Sequence, residues 1–146
     1  MRWASWIIVV LAMHFIWEMA QAKWFSSMAG LPFWSATLLC LRASIGDVAI
    51  TLAAFFAAAA VAKRVAWPLD DVRAAPTVVY LMAGLATTIV IELLALHSGR
   101  WSYAPDMPVV FGIGVLPLAQ WIVLPLIALG AFRLMWKAGD LRFPGQ

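Results

Sequence analysis

His14-Phe15-Ile16-Trp17-Glu18-Met19-Ala20-Gln21 puts a histidine, a carboxylic acid and an amide inside the first long apolar run of the chain. His14, Glu18 and Gln21 follow i, i+4, i+7 spacing, so on a helix they share one face. The run, residues 3–22, would measure about 30 Å as a helix, the thickness of a bilayer's hydrocarbon core. Within that core an unpaired charge costs at least about 2.5–3.5 kcal/mol. A helix carrying such a face must therefore turn it towards other polar groups. Three further apolar runs, residues 42–61, 78–97 and 109–134, can supply them. The expected fold is all-α: one integral membrane domain, residues 1–146, built as a polytopic bundle of four transmembrane helices.

Composition supports this class. Of 146 residues, 65% are hydrophobic and only 12% charged, about half the charged share of an ordinary soluble domain. Nine Trp and eight Phe suit a bilayer boundary. Net charge is only +3 and the basic residues are scattered, so no nucleic-acid partner is expected, which would need a continuous basic surface. The single cysteine, Cys40, excludes an intrachain disulfide and a Cys-only metal site. Met1-Arg2, an apolar run and Ala20-Gln21-Ala22 superficially resemble a secretory signal with its cleavage site. His14 and Glu18 would interrupt the apolar region of such a signal, so residues 3–22 read as a retained span.

Along the chain, Lys23 and Trp24 mark the far interface of the first span, and Gly30 and Pro32 break the helix beyond it. Residues 33–41 read as a short piece lying along the interface, ahead of a second span at 42–61. The later part of that span, residues 53–62, holds seven alanines and two phenylalanines and reads as a helix-packing seam. Ser44, Asp47 and Thr51 share one of its faces. Residues 65–76 form the most polar loop, with Asp70, Asp71 and Arg73 between Pro68 and Pro76. Thr88 and Glu92 share a face of the third span. Gly112, Gly114, Pro117 and Pro125 make the start of the fourth irregular, and residues 137–146 read as a polar tail.

Placing both termini in the cytoplasm puts seven of the ten Lys and Arg residues inside and leaves Lys23, Arg42 and Arg100 outside. In that orientation Glu18, Asp47 and Glu92 all lie about 6–9 Å below the outer boundary, with Gln120 at a similar or slightly greater depth. Arg42, Arg100, Trp101 and Tyr103 stand just above them. The four spans are thus expected to gather one polar cavity in the outer half of the bundle. The plainer alternative is that these groups only pair with one another to hold the helices together. Three carboxylates in low dielectric cannot all stay ionised, and one that keeps its proton can act as a general acid. The candidate catalytic residues are Glu18, Asp47, Glu92 and His14. The candidate substrate-binding residues are Trp17, Gln21, Arg42, Arg100, Trp101, Tyr103 and Gln120. No metal is expected, because the Glu-x-x-His pairs of di-iron bundles are absent. Nor is haem or any other cofactor, since His14 and His97 should differ in depth by about 15 Å.

The motifs Trp17-Glu18-Met19-Ala20-Gln21, Gly46-Asp47, Gly99-Arg100-Trp101-Ser102-Tyr103 with Met107-Pro108, and Pro117-Leu118-Ala119-Gln120-Trp121 resemble those of a family of small, uncharacterised bacterial membrane proteins with four spans. That resemblance covers most of the chain, implies a multi-pass protein of the bacterial inner (cytoplasmic) membrane, and brings no activity with it. A shorter resemblance, at Glu18, Glu92, Trp101 and Tyr103, is to membrane-embedded carotenoid and meroterpenoid cyclases and carotenoid hydratases. It implies proton-initiated chemistry on an isoprenoid-type lipid.

Three functions fit the sequence: an acid/base enzyme acting on such a lipid, a small proton-coupled transporter, and an accessory subunit that binds a pigment, quinone or partner protein. The expected partners are a membrane lipid or small apolar ligand, with a homo-oligomer or a membrane-complex partner also compatible. The orientation is directly testable. A phosphatase fused after Gln146 should be inactive and a fluorescent protein there should be bright; the reverse pattern would invert the topology.

Overall fold

The computed structural model describes residues 2–69 and 74–140. Four long helices account for most of them: α1 (Arg2–Gln21), α2 (Phe33–Ala62), α3 (Ala74–His97) and α4 (Val115–Asp140). All four are long and apolar enough to cross a membrane. They form a ring in which α1 packs on α2 and α4, and α3 packs on the same two. The connections fall at alternate ends. At one end, the 3-10 turns Ala22–Trp24 and Ser26–Met28 after α1 meet the α3–α4 connection. There Ser26 N–H donates to Ser102 O at 2.9 Å and Ala104 N–H to Trp24 O at 2.8 Å. At the other end Arg2 Nη1 donates to Trp136 O at 3.4 Å, and Arg133 Nε to Pro68 O at 2.5 Å. The start of α1, the α2–α3 connection and the last turns of α4 therefore share that end.

The second helix corrects the expectation of an interfacial piece at 33–41 followed by a span at 42–61. It is one continuous helix of 30 residues, about 45 Å long. Nothing between 33 and 42 breaks a helix: Pro32 sits at its N-cap, where its fixed φ is harmless, and the next proline is Pro68. The hydroxyls of Thr37 and Ser44 fold back onto Phe33 O and Cys40 O, each at 2.8 Å, so neither asks for an outside partner. The helix stops at Lys63, whose left-handed φ of 56° returns its N–H to Ala59 O and Ala60 O. Its first turns stand clear of the bundle, with Phe33 and Trp34 66% and 73% exposed.

Two other boundaries move. The third helix begins at Ala74 rather than near 78. Residues 109–114, expected as the irregular start of the fourth span, form a hairpin ahead of it: β1 (Val109–Val110) pairs antiparallel with β2 (Ile113–Gly114). Phe111 and Gly112 turn it with φ of 51° and 80°, the positive pair that a two-residue hairpin loop demands. The fourth helix then runs through Pro125 and beyond Lys137 into the stretch read as a tail. Residues 70–73 of the polar loop and 141–146 of the tail lie outside the described residues.

The interior has two halves. Towards the end that holds Arg2, the side chains of Trp6, Phe55, Trp67, Tyr80 and Phe132 are buried, and they stack edge-on or tilted at centroid distances of 5.3–6.5 Å. Trp6 also ties α1 to α4 by donating from Nε1 to Ala128 O at 2.8 Å. Above this plug lies Trp121, packed on Gly84 of α3. A methyl on Gly84 would fall 2.3 Å from Trp121 Cε3, so only glycine lets the indole lie against α3 there. Gly84→Ala should lower stability in detergent by about 1–3 kcal/mol, since overpacking forces the indole or the helix to move. Gly130→Ala, where a methyl meets nothing within 4 Å, should instead raise it by about 0.5–1 kcal/mol. Thermal unfolding of both variants checks the contrast.

Candidate functional site

The shared face of α1 meets polar residues of α2 and α4 at one level. Trp17 fixes how they connect, because an indole N–H can only donate. It donates to Gln21 Oε1 at 3.0 Å, which leaves Gln21 Nε2 to point away. That amide nitrogen donates to Glu18 Oε1 at 2.8 Å and to Gln120 Oε1 at 3.3 Å. Gln120 is then oriented in turn, and its Nε2 donates to Asp47 Oδ2 and His14 Nδ1, both at 3.0 Å. With Nδ1 accepting, neutral His14 carries its proton on Nε2, directed at Thr51 Oγ1 3.3 Å away. A donor-only indole on α1 thus sets two amide orientations and one tautomer across three helices.

Glu92 of α3 is held separately. Its Oε2 accepts from the Tyr103 hydroxyl and from Trp101 Nε1, the latter at 3.3 Å. Tyr103 is itself fixed by Gly114 N–H, which donates to its oxygen at 2.9 Å, so the hairpin before α4 braces the acid of α3. Burial pushes the Tyr103 phenol well above its ordinary range, and its bond to Glu92 adds to the shift.

Both networks border one cavity of about 650 Å³ between the helices. Glu18, Gln21, Arg42, Asp47, Glu92, Arg100, Trp101 and Gln120, all proposed from the sequence, line it. Three are not in the wall. His14, only 2% exposed, lies behind Asp47 with its Nδ1 3.4 Å from Asp47 Oδ2. Trp17 and Tyr103, expected to contact a ligand, stand behind Gln21 and Glu92 and orient them. Among the described residues neither Arg42 nor Arg100 pairs with one of the three acids; Arg100 stacks over the Trp101 ring at 5.7 Å, and the acids are held by neutral donors. Among the described residues no group of three His, Cys, Asp or Glu side chains is arranged to hold a metal ion.

Sequence reasoning missed Trp121 and Thr88. Trp121 forms part of the cavity wall, and its ring lies 5.6 Å from that of His14. Thr88 was legible as a partner of Glu92 on the same helix face, yet not as a wall residue. Its buried Oγ1 has no hydrogen-bond partner among the described residues. Cavity-lining Leu39, Ala43, Gly46 and Ile91 are exposed on the outside of the bundle, so the cavity has a side opening between α2 and α3.

No protein-family model, curated protein or solved structure matches the chain. The site therefore stands on its own geometry: a four-helix membrane bundle with an acid-lined cavity in one half.

Removing the Tyr103 hydroxyl tests the second network. Tyr103→Phe should cost about 1.5–3 kcal/mol, the range for a hydrogen bond to a charged group. The pH dependence has a definite sign. Folding holds the phenol's proton more tightly than the unfolded chain does, so this stabilisation is complete below about pH 10 and declines as pH rises past it. Wild-type stability should fall more steeply than that of Tyr103→Phe in alkaline thermal melts.

Proposed function

We propose that this chain is a membrane-embedded acid/base enzyme acting on an isoprenoid-type lipid, seated in the bacterial inner membrane with both termini cytoplasmic. The observation that carries the reading is the convergence of Glu18, Asp47 and Glu92, from three different helices, on one largely apolar cavity with a side opening. Burying three acids to hold helices together would leave no reason for a cavity between them.

The roles divide by hydrogen bonding. Glu92 receives two donors on one oxygen, which supports its anion; Asp47 has Gln120 and the His14 ring beside it; among the described residues Glu18 has only the neutral amides of Gln21 and Gln120 beside it. Glu18 is accordingly the proton donor, giving its proton to an alkene carbon or an epoxide oxygen. The carbocation so formed meets the π-faces of Trp101 and Trp121 in the cavity wall. Transfer of a proton from the cation to Asp47 completes a cyclisation or isomerisation with no net change in composition. Addition of one water, with loss of its proton to the same base, completes a hydration. Asp47 can pass the proton to His14 Nδ1, which then turns from acceptor into donor.

A carrier function is less well supported, since the buried aromatic plug fills the half of the bundle opposite the cavity. A binding role as an accessory subunit has the exposed Trp34 and Phe33 in its favour. Incubating the protein in nanodiscs with linear polyenes and their terminal epoxides separates these readings. Chromatography coupled to mass spectrometry should show an isomer of unchanged mass at a new retention time or a hydrate of higher mass, and proteoliposomes should show no flux. Glu18→Gln should reduce turnover about 10²–10⁴-fold while the protein still elutes as a folded species. Unchanged turnover in both Glu18→Gln and Glu92→Gln would remove the enzyme reading.

A further inference from the structure

The cavity adjoins a second feature on the outside of the bundle, with which it shares one wall residue. Along the α2–α3 seam, Ala49, Ile50, Ala53, Ala54 and Ala57 face Ala83 and Thr87 across a groove of about 490 Å³. Ile50 belongs to both the groove and the cavity wall. The groove-lining Ala49, Ala53 and Ala57 are exposed and recur at i, i+4, i+8, so the groove runs about 12 Å down one helix face, away from the acids. Its polarity changes abruptly at the junction. In the groove, the Thr87 hydroxyl is tied back to Ala83 O at 2.8 Å and asks for nothing. In the cavity wall, one residue further on, Thr88 is 94% buried and its hydroxyl has no partner among the described residues. A buried hydroxyl left unpaired costs about 1–3 kcal/mol, which a ligand atom beside it would recover.

We propose that cavity and groove together form one binding site for a linear, single-chain amphiphile. Its small hydroxyl-type head lies among the acids, hydrogen-bonded to Thr88, and its hydrocarbon tail lies in the alanine groove. The proposal deepens the reading of the cavity as a ligand site by fixing the shape and direction of the molecule. A ligand in this pose enters sideways past Leu39, Ala43 and Gly46 with its tail running along the helices, as the chains of the bilayer do. The seam between two packed helices takes one chain, and the alanines keep it open.

The probe is 1-hexadecanol carrying a photoreactive diazirine in the distal half of its chain, presented to the full-length protein in nanodiscs. After irradiation, adducts mapped by mass spectrometry should concentrate on residues 53–57 and 83–87. They should exceed those on the exposed Ile8, Ile16, Ile122 and Leu126 of α1 and α4 by about fivefold or more, the ratio that about 1 kcal/mol of preference gives. Ala53→Leu and Ala57→Leu should each reduce groove labelling by about fivefold or more, whereas Ala60→Leu, exposed but off the groove, should not. Thr88→Val should weaken labelling by about threefold or more. Both leucine variants lie on the outer surface, so circular dichroism should show native helicity.

Labelling spread evenly over the exposed helix faces, or unmoved by both leucines, overturns the proposal. Equally selective labelling by a two-chain phosphatidylcholine bearing the same diazirine overturns the single-chain assignment. Photolabelling needs no turnover. Selective labelling with an inactive wild type would therefore sink the enzyme reading alone, and turnover with unselective labelling would sink this one alone.

Discussion

Gln120 has one carbonyl oxygen and two amide hydrogens, and all three are committed. The oxygen accepts a hydrogen bond from Gln21 of α1; the hydrogens are donated to His14 of α1 and Asp47 of α2. In water such contacts would compete with solvent and count for little. Inside a bundle surrounded by hydrocarbon the alternative is an unpaired amide, so the arrangement fixes the level at which α1, α2 and α4 meet. The geometry is also polar in sense. Trp17 can only donate, and its direction passes through Gln21 to Gln120 and on to the acids. Reversing either amide would set oxygen against oxygen along the chain.

Below this level, an indole on a bare glycine divides the protein into two unlike halves. The aromatic plug of Trp6, Phe55, Tyr80 and Phe132 supplies rigid packing, and the cavity above it gives up packing to leave room. The same four helices provide rigid packing at one end and an open site at the other. The Glu92 side of the cavity depends on elements outside the spans. Tyr103 in a connection, braced by Gly114 of the hairpin, holds an acid that belongs to α3.

Much of this was legible in the sequence because helical periodicity and bilayer thickness are strong constraints. The i, i+4, i+7 spacing of His14, Glu18 and Gln21 gave their common face, and counting residues from the span ends brought Glu18, Asp47 and Glu92 to one depth. What the sequence hid was direction. Nothing in the spacing says that Trp17 and Tyr103 stand behind the wall, since that depends on which donor finds which acceptor after the helices pack. Nor does the spacing say what holds the carboxylates: Arg42 and Arg100 share the cavity wall with the acids, yet the hydrogen bonds come from neutral donors. The break expected at residue 42 rested on treating a charged residue as the end of a span. Arg42 sits instead within an unbroken helix, on a face that borders the cavity.

That unbroken helix has an elastic consequence. At about 45 Å, α2 exceeds a hydrocarbon core of about 30 Å, whereas the 20 residues of α1 match it. A bilayer meeting a helix too long for it thickens, or the helix leans, at a fraction of a kcal/mol per ångström. The third and fourth helices, at about 36 and 39 Å, lie between these two, so the excess is greatest on the α2 side of the ring. That side holds Leu39 and Ala43, at the opening between α2 and α3. A bilayer that thickened to meet α2 would straighten its chains most beside that entrance.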